Sequence, residues 1–469
     1  MKKLRQNLRA VTALLLSLMI VAGAYCFYSV TTYGGRWFAT STNTRLSSQK
    51  KQVTAGEIAD RTGMVLACTV DGKRTYPRYT GLRKAVAHVV GDNRGFVSHG
   101  AETFMANYLL GFKATATERV EQLFSGEETR GDDIMLTIDA ELCAYAYSLI
   151  EPFVAGAAVV LNYQTGEIIC STSWPSFDPR NMSAALNASS GEASLLNRVT
   201  QGMYSPGSTF KIVTMASALG NLAGVQQRTF DCTGRLDVVN TTVTEAGGAV
   251  HGPLALNAAF AKSCNSAFAT MALDLGASRL RRTAVDFGFN ENFLFSDVIL
   301  YNSVFPSGRL TKDQLAWNGI GQGTVQVTPL HMAMIAGAIG NDGVMVEPRL
   351  LLSATSAQGK QRSLPGTRTY KRCCSASVAE TITEAMLECV QTGTGKQAQI
   401  QGYAVAGKTG SAETSDNKSV RTDAWFVGFV DDPEHPLAIA VVLEKGGSGG
   451  TVAAPIAQRI LKRAIQSGY

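Results

Sequence analysis

The sequence lacks the marks of most metal and dithiol sites. Its nine cysteines, Cys26, Cys68, Cys143, Cys170, Cys232, Cys264, Cys373, Cys374 and Cys389, include no C-x-x-C pair, so neither a zinc ribbon nor a thioredoxin-type centre is expected. Their number is odd and their spacing scattered, which argues against a disulfide framework and for buried apolar thiols. Histidine is scarce. His88, His99, His251, His331 and His435 are dispersed with no motif around them, and each is expected at the surface or satisfied in the core. No metal and no cofactor are expected.

Acid is missing from the first 56 residues, which hold eight Lys or Arg. The remaining 35 basic and 37 acidic residues leave the body near neutral despite a net charge of +6, so there is no nucleic-acid signature. Charge of either sign is absent from Ala10 to Gly35. Residues 11–30 read as a transmembrane helix in contact with lipid, behind a cytoplasmic tail at 1–10. A cleaved signal peptide competes, since Ala22-Gly23-Ala24 is an A-x-A site, and so does a lipoprotein at Cys26. The apolar run continues through Tyr25, Cys26, Phe27 and Tyr28, which favours an uncleaved single-pass anchor. On every reading the body is exported.

At 469 residues, 45% hydrophobic and 17% charged, the chain is globular and long enough for more than one domain. Residues 31–54, rich in Ser, Thr and Gly, read as a linker. A compact region at 55–150 follows. Within it, 56–63 reads as strand and turn, 130–139 as a strand ending in a helix cap, and 140–150 as a helix. Residues 64–130 give no strong signal. From 151 to 469, hairpins at 157–170 and 425–443 bracket helical segments, and 455–465 has helical spacing. Strands at both ends with helices between predict an α+β fold whose antiparallel sheet joins early and late segments.

Four Ser-x-x-Lys spacings occur, at Ser47, Ser48, Ser208 and Ser415. Only Ser208-Thr209-Phe210-Lys211 opens an apolar helix, after Pro206-Gly207 and before Ile212, Val213 and Met215. Three residues apart on a helix puts Ser208 and Lys211 on one face, as nucleophile and base, provided the lysine is kept neutral. Ser263-Cys264-Asn265 and Lys408-Thr409-Gly410-Ser411 follow in order.

That set resembles the SxxK, SxN and KTG motifs of penicillin-binding proteins and serine β-lactamases. Gly319-Ile320-Gly321-Gln322-Gly323, Val327 to Ala333, Pro175 to Pro179, Asp60 to Gly63 and Gly393-Thr394-Gly395 are similar to runs of class B penicillin-binding proteins. The resemblance implies a small pedestal (dimerisation-like) domain at 55–150 and a transpeptidase domain at 151–469, a central antiparallel sheet flanked by helices in the penicillin-binding/β-lactamase-like manner. No glycosyltransferase segment and no C-terminal accessory repeat are expected. The implied activity is D,D-transpeptidation of peptidoglycan stem peptides ending in D-Ala-D-Ala, with β-lactams as covalent inhibitors.

In the implied site Ser208 is the nucleophile, Lys211 its base, Ser263 a proton relay, and Asn265 a holder of Lys211 and the substrate amide. Lys408 raises the local potential, Thr409, Gly410 and Ser411 bind substrate, and the N–H groups of Ser208 and Ser411 form the oxyanion hole. The resemblance also implies a SEDS-family glycan polymerase as partner. A D,D-carboxypeptidase, a β-lactamase and a membrane-anchored scaffold or β-lactam sensor are the alternatives. The short tail before the apolar run argues against a sensor.

Several patterns compete with this site. Gly402 to Thr409 matches the Walker A spacing, but Tyr403 to Ala406 reads as strand rather than a turn into a helix. Ser415-Asp416-Asn417 is a literal SDN placed after KTG, and reads as a turn. Asp60 and Arg61 read as a structural pair within the pedestal, and the Cys264 side chain is expected to point away from the site.

Overall fold

The computed structural model describes residues 2–38, 48–50, 52–125, 129–187, 193–414, 417 and 420–469. Helix α1 (Lys2–Phe38) is 37 residues long, and an 18-residue apolar window within its Lys2–Val30 portion has a mean hydropathy of 2.2 with none of the window buried. At 1.5 Å per residue that portion spans about 44 Å, enough by length and composition to cross a membrane. At its N-terminal end the helix outruns the apolar segment because Lys, Arg, Gln and Leu are good helix formers whatever their polarity. Residues 31–38, expected in the linker, are helical too, against the low propensity of their Thr, Gly and aromatic residues, and 39–47 lie outside the described residues.

A first sheet contains β1 (Ile58–Ala59), β2 (Val65–Val70), β3 (Lys73–Thr75) and β4 (Asp133–Leu136). Its fifth strand, Leu351–Thr355, pairs antiparallel with β4 and completes the order 351–355, β4, β1, β2, β3. The chain thus crosses the division expected at residue 150 a second time. Between β3 and β4 run the short helices Thr80–Ala85, Ala87–Val90, Ala101–Phe104 and Ala106–Leu109, and then Ala116–Ser125. Most are one turn or so, too short to leave a readable periodicity in the sequence.

Arg362 fastens the returning segment: Nε and Nη2 donate to Asp132 at 2.9 and 2.7 Å, and Nη1 donates to Glu118 at 2.8 Å. The expected Asp60 and Arg61 pair is not formed. Asp60 instead accepts the N–H groups of Thr62, Met64 and Ala140. Arg61 reaches across to Glu167 at 3.3 Å and lies 4.7 Å above the Tyr469 ring. Three backbone N–H groups and the Thr62 hydroxyl bind the Asp60 carboxylate, while the guanidinium takes Glu167 and the Thr137 carbonyl.

Asp139 caps α2 (Ala140–Ile150) by accepting from Leu142 N–H at 2.9 Å. Strands β5 (Ala155–Asn162) and β6 (Ile168–Trp174) form a hairpin. The helices that shape the site follow: α3 (Lys211–Asn221), α4 (Leu256–Ala261), α5 (Asn265–Asp286), α6 (Pro329–Gly340) and α7 (Ala376–Gln391). The sheet resumes with β7 (Val405–Ala412), β8 (Asp423–Val430) and β9 (Leu437–Glu444), and α8 (Ala454–Gln466) ends the chain's helices. The order is β7-β8-β9-β5-β6, antiparallel throughout. Every residue of β8 is buried. Both faces of the sheet are therefore covered, by α6 and α7 and by α2 and α8.

Candidate active site

Ser208 is half-buried in the 3₁₀ turn Gly207–Phe210, which continues directly into α3. Such a turn has three residues per revolution, so positions 208 and 211 eclipse. The turn is fixed from outside: Gly207 N–H donates to Gly321 O at 2.8 Å. Gly321 has φ +76°, and a Cβ there would stand 2.0 Å from Gly207 O. Glycine at 321 is thus required both by its left-handed backbone and by the close approach of the nucleophile's turn.

Lys211 is 0% exposed. Its Nζ donates to Ser263 O at 2.6 Å, to Ser263 Oγ at 3.2 Å and to Asn265 Oδ1 at 2.7 Å. Ser263 occupies an unusual backbone position, with φ +59°. Helix α4 ends at Lys262, Ser263 N–H donates to Phe260 O, and Cys264 N–H donates to Ala259 O, both at 2.9 Å. This is a Schellman cap with serine where glycine is usual. Helix α5 starts two residues later, which places Asn265 in its first turn.

Lys408 lies on β7, the outermost strand, against which the Gly207–Phe210 turn packs. It is 0% exposed, 5.6 Å from the Phe260 ring centroid, while Lys211 is 5.4 Å from that of Phe268. Thr409 Oγ1 is 2.6 Å from Thr394 Oγ1. Ser411 is exposed, and its Oγ accepts Gly449 N–H at 3.2 Å. Gly410 packs within the turn's reach, since a Cβ there would lie 3.0 Å from Pro206 O. The structure thus gathers all eight expected residues around the start of α3, the α4–α5 junction and β7.

Burial pushes the Lys211 ammonium down to about 7, and the nearby Lys408 charge adds to the effect. Burial likewise lowers Lys408 to about 8. The Glu245 carboxylate opposes the shift of Lys211. Glu245 is 5% exposed and accepts the backbone N–H groups of Asn265 and Ser266 at 2.8 and 2.7 Å, which caps α5 with charge of the favourable sign. A lysine that is neutral about half the time near pH 7, beside a serine at a helix start, can remove a hydroxyl proton.

Glu245, Phe260 and Phe268 are absent from the sequence-derived site. The two aromatics flank Ser263 and Asn265 in sequence and could have been suspected; Glu245 lies in a loop with no local signal. His251 is half-buried, and its Nδ1 is 3.2 Å from Cys232 Sγ. The Cys264 side chain bonds to Glu245 Oε1, with its Sγ 3.4 Å away.

The Walker-like segment is no phosphate loop: Val405 to Thr409 run inside β7. Ser415 and Asp416 of the literal SDN lie outside the described residues. All nine cysteines are free, and six of them are buried.

The family described as the penicillin binding protein transpeptidase domain matches residues 156–462. The peptidoglycan D,D-transpeptidase PbpA of Mycolicibacterium smegmatis is 31% identical over 453 residues, covering 90% of each chain. Among solved structures, the ceftriaxone acyl-enzyme of penicillin-binding protein A from M. tuberculosis superposes with a TM-score of 0.81 at 28% identity, covering 90% of this chain and 100% of that one. The D,D-transpeptidase domain of a peptidoglycan glycosyltransferase from Eggerthella lenta gives 0.78 at 30%, covering 89% and 99%. With its three motifs assembled around one buried lysine, the chain belongs to the penicillin-binding protein transpeptidase family, as a class B member.

Proposed function

We propose that Ser208 is the acylated residue of this serine D,D-transpeptidase, and that the enzyme crosslinks peptidoglycan stem peptides. The relatives named as peptidoglycan D,D-transpeptidases and the β-lactam acyl-enzymes of penicillin-binding protein A support the reaction class. The observation that carries the residue assignment is Lys211. It is dry, depressed toward 7, and gripped by Ser263 and Asn265 one helical turn from Ser208.

Ser208 Oγ attacks the carbonyl of the penultimate D-alanine while Lys211 Nζ takes its proton. The oxyanion is met by the N–H groups of Ser208 and Ser411, each such donor being worth roughly 2.7–4 kcal/mol. The C–N bond breaks as a proton passes from Lys211 through Ser263 Oγ to the leaving D-alanine amine, which leaves an ester on Ser208. An acceptor amine of a second stem then attacks the ester, gives up its proton, and Ser208 Oγ is reprotonated. Lys408 keeps the local potential positive, and Asn265 orients Lys211 and the substrate amide. Thr409, Gly410 and Ser411 take the terminal carboxylate and the backbone along the free edge of β7. β-Lactams enter the same cycle as acylating agents.

Helix α1 would hold the protein in the cytoplasmic membrane by lipid contact, with the catalytic body on the extracytoplasmic side and a SEDS-family glycan polymerase alongside. The exposed apolar window within its Lys2–Val30 portion supports the anchor. The residue assignment is tested with fluorescent penicillin. Covalent labelling must map to Ser208 by peptide mass spectrometry and vanish in Ser208→Ala; labelling that survives this substitution sinks the assignment.

A further inference from the structure

Behind the Ser263–Asn265 junction, four chemically matched side chains converge from separate elements. Cys232 ends the strand Thr229–Cys232, Glu245 precedes the turn Ala246–Gly248, His251 leads into the strand Gly252–Ala255, and Cys264 is the N-cap of α5. One ligand atom each from Cys232, Glu245 and His251 lies within 4.8 Å of the others. The Cys232 Sγ to His251 Nδ1 distance is 3.2 Å, and Cys264 Sγ to Glu245 Oε1 is 3.4 Å. Tetrahedral zinc, with Zn–S near 2.3 Å and Zn–N near 2.0–2.1 Å, separates its ligands by roughly 3.5 Å. The Cys232–His251 pair already stands at that spacing, Glu245 lies within 4.8 Å of both, and Cys264 adjoins the group through its hydrogen bond to Glu245 Oε1.

Capping of α5 accounts for Glu245 and for Cys264, whose Sγ accepts Ala267 N–H at 3.3 Å, but not for Cys232 or His251. Glu245 Oε1 accepts from Ser266 N–H, Ser266 Oγ and Cys264 Sγ, whereas Oε2 accepts from Asn265 N–H at 2.8 Å. A carboxylate oxygen has two lone pairs, so Oε2 keeps one acceptor position besides the Asn265 bond. Cys232 and Cys264 are 0% exposed and His251 is half-buried. Two thiols and a carboxylate are thus shielded, with the imidazole at the entrance. The backbone assists, since His251 N–H donates to Cys232 O at 3.1 Å and sets those two residues side by side.

We infer that Cys232, Glu245, His251 and Cys264 form a binding site for a thiophilic divalent cation, with zinc the best match to two sulfurs, one imidazole nitrogen and one carboxylate oxygen. The ion is a structural brace. Four protein ligands leave no open position, and binding exchanges the two thiol protons for the metal. It staples the 229–232 and 252–255 strands to the first turn of α5, and so to Asn265. The claim stands apart from the acylation chemistry.

The test uses the full-length chain in detergent. Purified protein carries about one equivalent of zinc by mass spectrometry. That content falls at least tenfold in Cys232→Ser and in His251→Ala and is unchanged in Cys389→Ser, a buried cysteine elsewhere. Chelator-stripped wild-type protein titrated with Co²⁺ alone develops thiolate-to-metal charge-transfer absorption at one equivalent, which Cys264→Ser reduces by about half. This wild-type measurement stands even where a variant fails to fold. Stripped wild-type protein that takes up neither Zn²⁺ nor Co²⁺, or uptake that persists in both Cys232→Ser and His251→Ala, overturns the site.

Discussion

Lys211 Nζ lies 2.6 Å from the carbonyl oxygen of Ser263 and 3.2 Å from its hydroxyl, so one residue presents two acceptors to the base. Only the left-handed backbone of Ser263, at φ +59°, turns both toward α3. A non-glycine residue in that region costs roughly 1–2 kcal/mol, a cost retained here at the point where the relay hydroxyl is needed.

A comparison of two substitutions isolates that strain. Ser263→Gly and Ser263→Ala both remove the hydroxyl, but only alanine keeps the backbone cost. Ser263→Gly is expected to be the more stable of the pair by about 1 kcal/mol, given the preference for glycine at this cap position. Both should lose acylation by roughly 10²-fold or more, the lower range for a proton-transfer group. Thermal unfolding of the pair measures the first quantity and penicillin labelling kinetics the second. Equal melting temperatures would mean that the cap is unstrained.

The pH dependence of acylation should follow Lys211. Its folded value near 7 lies below the ordinary lysine value, so the neutral base grows in as pH rises through about 7, and the acylation rate rises with it. Lys408→Met removes the second buried positive charge, which raises Lys211 and moves that limb to higher pH. A profile with the same midpoint in both proteins would rule out Lys408 as a modulator. The linkage to stability has the same sign. Between the folded value and the unfolded value near 10.4 the unfolded chain binds more protons, so the Lys211 contribution to stability improves as pH rises across that window.

Gly321 braces the turn that carries Ser208. Gly321→Ala places a Cβ 2.0 Å from Gly207 O at φ +76°. The expected loss is about 2–5 kcal/mol, combining backbone strain with overpacking. Denaturant unfolding of Gly321→Ala checks this, and a variant within 0.5 kcal/mol of wild type, roughly the range of a neutral surface substitution, would show that the 207–321 contact relaxes freely.

Arg362 ties the returning 351–362 segment to the first sheet and to the Ala116–Ser125 helix beside it. Its side chain is 12% exposed, and its partners Asp132 and Glu118 are 3% and 6% exposed. Arg362→Met strands two buried carboxylates and is expected to cost about 3–5 kcal/mol. Adding Asp132→Asn and Glu118→Gln to Arg362→Met should recover part of that loss. Chemical denaturation of the single and triple variants checks it, and no recovery in the triple variant would place the cost in lost packing.

The sequence alone determined the helical start at Ser208, the order of the three motifs and the two hairpins of the central sheet. Each is a local pattern: Ser208 opens an apolar helix, 423–430 and 437–444 are apolar runs around a turn, and Asp139 is a cap before 140–150. The resemblance to class B penicillin-binding proteins added the roles. Tertiary structure decided what depends on distant partners. Leu351–Thr355 joins a sheet more than 200 residues upstream because β4 offers an open edge, and Arg61 pairs with Glu167, over 100 residues away, while Asp60 organises the backbone of its own turn and the start of α2. Lys211 is tuned by Lys408, nearly 200 residues away, and by Glu245, which no motif marks. Scattered cysteines and a solitary histidine carried no signal as letters. Folding brings Cys232, Glu245 and His251 within 4.8 Å, with Cys264 beside Glu245, because two strands and a helix start meet behind the same junction that positions Asn265.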